Sequence, residues 1–251
     1  MDSLTAIVYG LIGLLVGVPL AIGVEWLAYG GIRRPGRADT LSWWTLAVVL
    51  TTGLLFGVTW LRMPPGPYLL LVTVYVCALV VVLFVDLRVR RIPNVITYPA
   101  IALALVASPF VPGLGLVRSL IGGGLSLALF LLVYALAGPF AARWARLQER
   151  EAPAVPFGFG DVKLGLFIGL ITGFPAVFPA LFIGSLALGV LALGVLVARL
   201  VAQGRQAFLS TIPFGPALVI GGLVGLLWGQ DIAAGYIEHY SAALATLLRM
   251  I

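Results

Sequence analysis

The sequence predicts an all-α integral membrane protein with about eight transmembrane helices and both termini outside. Of its 251 residues, 62% are hydrophobic and only 10% are charged, and the mean hydropathy is +1.15. A water-soluble domain of this size does not need so apolar a composition to build its core. The apolar residues also form runs close to the roughly 20 residues that cross a bilayer as a helix. We expect one polytopic domain over residues 1–251.

Turn-forming residues divide the apolar sequence into eight candidate spans. Gly173, Pro175 and Pro179 interrupt one long apolar run and predict a tight hairpin between a short sixth helix and the seventh. Asp2, and no basic residue, precedes the first span, so we expect a retained helix rather than a secretory signal. The tail from Asp231 onward predicts an interfacial amphipathic helix, about residues 231–251. The spans are residues 4–24, 43–61, 68–86, 95–111, 116–138, 161–173, 175–198 and 213–229.

Basic residues are distributed unevenly between the two sides of these spans. Of the fifteen, Arg62, Arg118 and Arg249 fall on one side, and the other twelve fall on the opposite side. Because cytoplasmic connections carry an excess of Lys and Arg, the larger group marks the cytoplasmic side. The formal charge of +6 is then a topology signal and an attraction to anionic lipid head groups, and it requires no nucleic acid.

Several catalytic chemistries are excluded by the residue inventory. Cys77 is the only cysteine and His239 the only histidine, which leaves no intramolecular disulfide and too few ligands for a zinc site. Because His239 follows the last span on the outer side, we expect no Cys-His or Ser-His-Asp arrangement near the cytoplasmic face. The glycine run 122–124 lies within an apolar helix, where it favours close helix packing over phosphate binding. The sequence therefore predicts neither a metal nor a cofactor.

Two aspartates lie at helix ends in special backbone settings. Asp86 closes an apolar segment ahead of Pro93, and Asp161 follows Gly158 and Gly160 at the start of another. An ionisable residue at the edge of a bilayer is a candidate functional site, and here each carboxyl group is a natural partner for the other. Two neighbouring carboxyl groups do not both ionise, so they can supply one acid and one base for hydrolysis. Only tertiary packing can bring them together.

Structural roles for the aspartates stay open at this point. Asp161 could cap its helix, and Asp86 could pair with Arg88 or Arg90 at the membrane interface. If both are catalytic, a helix N-terminus favours the charge of Asp161, whereas Asp86 lies at a helix C-terminus, which disfavours charge. This difference favours Asp161 as the ionised base. Glycines allow backbone angles closed to other residues, so Gly158 and Gly160 are expected to need positive φ and to let a substrate strand approach.

Three segments in order resemble the type IV prepilin peptidases. Residues 86–99, DLRVRRIPNVITYP, resemble the first aspartate motif of that family, and residues 158–164, GFGDVKL, resemble its Gly-x-Gly-Asp-x-Lys motif. Residues 212–216, IPFGP, are similar to the stretch that opens its last helix. The likeness covers about residues 68–230. It implies that Asp86 and Asp161 are the catalytic pair, and that the substrate is a pilin-like precursor cut on the cytoplasmic side of the bacterial inner membrane, after a short basic leader.

The resemblance also implies substrate contacts near the two aspartates. Lipid head groups would occupy the cytoplasmic arginines, leaving Glu149 and Glu151 to meet a basic leader. The candidate substrate-binding residues are Gly158, Gly160, Lys163, Pro93, Asn94, Glu149 and Glu151.

One part of the family pattern is missing from this sequence. Long, bifunctional family members carry a cysteine-rich, zinc-binding domain between their first two helices, where this chain has only Glu25 to Ser42 and no cysteine. N-methyltransferase activity is therefore not expected. The alternative is a non-enzymatic multispan protein, such as a transporter or an assembly subunit, whose aspartates relay protons or pair with arginines.

Overall fold

A computed structural model describes residues 3–29, 42–147, 158–203 and 214–250, and it folds them into eight α-helices. No β-strand occurs within these four ranges, which confirms the all-α prediction. The helices are α1 (Ser3–Ala28), α2 (Trp43–Arg62), α3 (Pro67–Val89), α4 (Asn94–Ala107), α5 (Gly115–Leu147), α6 (Phe159–Thr172), α7 (Val177–Gln203) and α8 (Gly215–Met250).

Six of these helices are long and apolar enough to cross a membrane, judged by length and composition. The two others are shorter. Helix α4 and the 3₁₀ turn that follows it form an apolar segment over Asn94–Phe110, and α6 has 14 residues. At 1.5 Å per residue α6 is about 21 Å long, which is less than the hydrocarbon thickness of roughly 30 Å. The predicted short sixth helix is confirmed.

Helix α6 lies inside the bundle and contacts α4, α5, α7 and α8. Small residues let α5 approach it closely: a Cβ added to Gly169 would fall against the carbonyl oxygen of Gly122, and 2.7 Å from Oγ of Ser126. The hydroxyl of Ser119 donates to the carbonyl oxygen of Leu170 across the same contact, at 2.8 Å. The glycine run of α5 therefore serves helix packing. The buried residues of α6 are Asp161, Val162, Leu164, Gly165, Phe167, Ile168, Gly169, Leu170, Ile171 and Thr172.

The predicted hairpin between the sixth and seventh helices is confirmed. Helix α6 ends at Thr172, and Gly173 follows with φ of 66°, a left-handed conformation suited to glycine. The backbone N–H of Phe174 donates to the carbonyl oxygen of Arg118 at 2.9 Å, which attaches the turn to α5. The peptide bond between Phe174 and Pro175 is cis. Helix α7 then begins at Val177.

The last helix is longer than the sequence indicates. The predicted span 213–229 and the predicted interfacial helix from Asp231 onward form one continuous helix, α8, of 36 residues. No turn separates them, because residues 230–235 contain a single glycine and no proline to stop the helix. Asp231 forms an ion pair with Arg62 at the end of α2, so this part of α8 is attached to the bundle.

Candidate active site

Tertiary packing brings the two buried aspartates to the same end of the bundle. Asp86 lies in the last turn of α3 and Asp161 in the first turn of α6, with exposed fractions of 6% and 9%. Helices α3 and α6 are in contact through Tyr75 and Phe167, whose rings pack edge to face with centroids 5.8 Å apart. The charge of Asp86 acts electrostatically on Asp161. We call this end of the bundle, with Asp86 and Asp161, the aspartate end.

Asp161 caps its own helix. The backbone N–H of Gly158 donates to Oδ2 of Asp161 at 3.1 Å, and the N–H of Asp161 donates back to the carbonyl oxygen of Gly158 at 3.0 Å. The capping role considered from the sequence is therefore present. It does not exclude catalysis, because a carboxylate has about four lone-pair positions and this contact occupies one of them.

The two glycines of the Gly-x-Gly-Asp turn do not have the backbone that the sequence predicts. Gly158 has φ of −93° and ψ of 152°, which is ordinary extended backbone, and Gly160 is helical within α6. The expectation of positive φ at these positions is wrong. What distinguishes Gly160 is space, since a Cβ there would lie 3.1 Å from Cβ of Ile92 in the α3–α4 connection. At Gly158 the nearest atom of the described residues would be Oδ2 of Asp161, at 3.6 Å.

A third helix approaches Asp86 closely. The carboxylate of Asp86 lies against the backbone of Gly215, at the start of α8, and within reach of the Gly215 N–H. The main chain of α3 ends just beyond, where the N–H of Arg90 donates to the carbonyl oxygen of Asp86 at 2.8 Å and Arg90 takes a left-handed conformation with φ of 54°. The charge of Arg90 also acts on Asp86.

Arg88 points away from Asp86. Its guanidinium forms an ion pair with Glu25 of α1, donates to the hydroxyl of Tyr29 at 3.0 Å, and lies 5.8 Å from the ring centroid of Trp44. Residues two apart on a helix do not face each other, which explains why Arg88 and Asp86 diverge. The proposed pairing of Asp86 with Arg88 is therefore not what the structure shows. Instead Arg88 links the end of α3 to α1 and α2.

The segments around the two aspartates contact each other directly. The ammonium group of Lys163 hydrogen-bonds to Oδ1 of Asn94 and lies 4.9 Å from the ring centroid of Tyr98 and 5.6 Å from that of Phe159. Two residues predicted to bind substrate thus bind each other. Together with the contact between Gly160 and Ile92, this pairing ties the start of α6 to the start of α4.

The remaining residues predicted to bind substrate are Pro93, Glu149 and Glu151. The carbonyl oxygen of Pro93 accepts from the N–H groups of Ile96 and Thr97, both at 3.1 Å, so Pro93 begins α4. Glu149 and Glu151 lie outside the described residues. Over the described part of the chain, no group of three or more His, Cys, Asp and Glu side chains could hold a metal ion.

Gly215 is not among the site residues predicted from the sequence. Residues 212–216 suggest only a turn at a helix start, because nothing local indicates which buried group the turn faces. The available signal is a glycine directly before a proline at the beginning of a helix, where a backbone N–H has no partner within the helix and the absence of a side chain permits close approach of another group.

The chain is similar to proteins of known type. Residues 73–193 match the model of the "Type IV leader peptidase family". A "Prepilin leader peptidase/N-methyltransferase" of Pseudomonas aeruginosa is 32% identical over 222 residues, which cover 86% of this chain and 68% of that protein. A protein of the same description from Aeromonas hydrophila is 29% identical over 231 residues, covering 90% of this chain and 71% of the relative.

A third relative is matched over a shorter part of its length. The protein of that description from Xanthomonas campestris is 30% identical over 162 residues, covering 64% of this chain and 51% of the relative. The chain thus spans between about half and about 70% of these relatives. No solved structure matches the chain.

Proposed function

The chain belongs to the type IV leader peptidase family, and on this premise we propose that it is an aspartic endopeptidase that removes the leader from a pilin-like precursor. One observation carries the proposal. Asp86 in α3 and Asp161 in α6 are both buried at the same end of the bundle and within electrostatic range of each other, which supports a catalytic pair. Such a pair shares one proton, because two close carboxylates are not both ionised.

Hydrolysis by this pair requires one acid and one base. The ionised carboxylate takes a proton from a water molecule, and the resulting hydroxide attacks the scissile carbonyl carbon. The protonated partner donates its proton to the carbonyl oxygen. When the tetrahedral intermediate collapses, the leaving amine takes the proton that the base had removed from water, and a hydroxyl group of the intermediate returns a proton to the former acid as the C–N bond breaks. The pair then again holds one proton.

Residues around the aspartate pair hold the helices that carry it in place. Asn94 and Lys163 bind each other across the two aspartate-bearing segments. We assign them to holding the starts of α4 and α6 in place beside the substrate. Gly158 is exposed at the start of α6, where its main chain is open to a substrate strand.

We place the aspartate end at the cytoplasmic face of a bacterial inner membrane. The aspartate end carries three basic residues, Arg88, Arg90 and Lys163. Two others, Arg62 and Arg118, lie at the other end of the bundle. This charge distribution agrees with the positive-inside rule and provides contacts for anionic lipid. The absence of cysteine between Glu25 and Ser42 is the basis for assigning the peptidase step alone to this chain.

Asparagine substitutions test the catalytic pair without removing the caps. Asp86→Asn and Asp161→Asn each keep an oxygen that can accept from Gly215 or Gly158 but lose the ionisable group. Each should lower cleavage of a purified pilin-like precursor on the order of 10³-fold or more, and the double variant should be little worse than either single one. Cleavage is followed by the mobility shift of the precursor on gels and by mass spectrometry of the new N-terminus.

Asp231→Asn is the matched control. Asp231 lies at the opposite end of the bundle in an exposed ion pair with Arg62, so its loss should leave cleavage unchanged. Near-normal turnover in either Asp86→Asn or Asp161→Asn would remove the pair from the mechanism. Equal losses in all three variants would point to folding rather than chemistry.

A further inference from the structure

The first turn of α8 faces the carboxylate of Asp86. The carbonyl oxygen of Phe214 accepts the first helical hydrogen bond, from the N–H of Leu218 at 3.3 Å. The ring of Phe214 packs edge to face on Phe130 of α5, with centroids 6.0 Å apart, which fixes where the helix begins. The next residue, Gly215, is the one that contacts Asp86.

The first turn of α8 contains a backbone N–H group, that of Gly215, with no partner inside the helix. The first N–H groups of an α-helix have no partner within the helix. Pro216, which follows, has no N–H at all. The N–H of Gly215 is therefore a buried donor without a partner inside its helix, and the Asp86 carboxylate lies within its reach.

Space, rather than backbone conformation, explains why this residue is glycine. Gly215 is not among the glycines with positive φ. A Cβ added to it would lie 2.5 Å from Oδ2, 2.9 Å from Cγ and 3.4 Å from Cβ of Asp86. Heavy atoms in contact stand about 3.5–4.0 Å apart, so an alanine would push the carboxyl group aside.

We propose that Gly215 is a positioning residue for Asp86: its missing side chain lets the start of α8 pack directly against the carboxylate, which fixes the position of the carboxylate and brings the backbone N–H within reach of it. The inference rests on the proposed peptidase function. It adds a third segment, the start of α8, to the two that carry the aspartates. Gly215 itself does not touch the substrate in this scheme.

Gly215→Ala separates positioning from folding. Alanine fits the backbone and is a better helix former than glycine, so secondary structure should be kept. A displaced catalytic group lowers kcat, and a shift of about 1 Å can cost on the order of 100-fold. We expect kcat to fall roughly 10- to 100-fold per folded molecule, with KM changed by less than about twofold.

Two other glycines of α8 provide matched controls. Apart from the backbone of its own helix, a Cβ added to Gly235 would meet no atom of the described residues within 4 Å, so Gly235→Ala should leave kcat, KM and stability as in the wild type. A Cβ on Gly221 would fall against the carbonyl oxygen of Ala180 and 2.7 Å from Cα of Gly184. Gly221→Ala should therefore lower thermal stability, and the remaining folded enzyme should keep its kcat.

A double-mutant cycle on unfolding keeps the test valid even if Gly215→Ala folds poorly. Asp86→Ala removes the two atoms closest to the added methyl group and leaves only Cβ, at an ordinary contact distance of 3.4 Å. Gly215→Ala should then lower the midpoint of thermal unfolding in the wild-type background and not in Asp86→Ala.

The outcomes are distinct for the two proposals. If the wild type cleaves the precursor and Gly215→Ala keeps full kcat, or if its stability effect is the same with and without the Asp86 side chain, the positioning role is overturned. If the wild type does not cleave, or if Asp86→Asn cleaves normally, the peptidase proposal fails and the role of Gly215 fails with it.

Discussion

Replacing Gly158 and Gly160 one at a time should have different consequences, although both belong to the same short motif. Among the described residues, the nearest neighbour of a methyl group added at Gly158 would be Oδ2 of Asp161, at 3.6 Å, which is an ordinary contact. At Gly160 it would meet three atoms of Ile92, at 3.1, 3.4 and 3.5 Å. Since the next residue is Asp161, any displacement of Gly160 moves a carboxyl group of the pair.

The distances set the size of the effect. At Gly160 an alanine needs a shift of a few tenths of an ångström, so we expect a loss of kcat of roughly tenfold or less. A valine adds two more methyl groups against Ile92, and overpacking of this kind costs about 1–3 kcal/mol. If α6 moves by about 1 Å to relieve it, kcat should fall on the order of 100-fold. Gly158→Ala should keep both activity and stability.

Cleavage kinetics of the purified variants, with thermal unfolding measured in parallel, provide the assay. Ile92→Ala in the Gly160→Val background supplies an internal check, because it removes the side-chain atoms beyond Cβ and should restore part of the lost kcat. Equal loss of activity in Gly158→Ala and Gly160→Ala would refute the reasoning, since their added methyl groups meet such different surroundings. Full activity in Gly160→Val would do the same.

Two further predictions concern charged residues. Glu25→Gln and Arg88→Gln should each lower the free energy of unfolding by about 1.5–3 kcal/mol, because their ion pair is largely buried, with exposed fractions of 14% for Glu25 and 20% for Arg88. The double variant should be destabilised by less than the sum of the two single variants. Additive effects in chemical unfolding would contradict this coupling. Glu149→Gln combined with Glu151→Gln should raise KM for a precursor with a basic leader more than it lowers kcat. Added salt should reduce the difference in KM between the variant and the wild type, because exposed charges are screened beyond ~8 Å at physiological ionic strength. An unchanged KM of the variant at low salt in anionic-lipid vesicles would rule out a role of these glutamates in leader binding.

Much of the helical framework could be predicted from the sequence because membrane helices have strong local signals. Apolar runs of the right length and breaks at Gly173 and Pro175 placed most helix boundaries within a few residues. The prediction failed at the last helix. Without a membrane boundary visible in the sequence, an amphipathic continuation from Asp231 looks the same whether it starts a new helix or extends α8.

The candidate site was only partly accessible from the sequence. Asp86 and Asp161 are recognisable because isolated carboxyl groups are costly in an apolar chain. Their contacts with other segments of the chain are not recognisable. Gly215 packs against Asp86, Glu25 pairs with Arg88 near Asp86, and Ile92 packs against Gly160 beside Asp161. The positive φ expected at Gly158 and Gly160 came from treating glycine as a conformational device, whereas at Gly160 the structure uses it for close approach.

The start of α8 also changes how the two carboxyl groups compare. From the sequence, Asp161 lies at a helix N-terminus and Asp86 at a helix C-terminus, which favoured Asp161 as the base. In the structure Asp161 accepts from the N–H of Gly158 at the start of its own helix, and the start of α8 packs against Asp86. The N-terminus of α8 therefore offsets part of the unfavourable effect of the α3 C-terminus on Asp86, so the difference between the two carboxyl groups is smaller than the sequence indicates. Under the proposed mechanism the two groups titrate as a unit, and Asp161 as the ionised base stays a prediction.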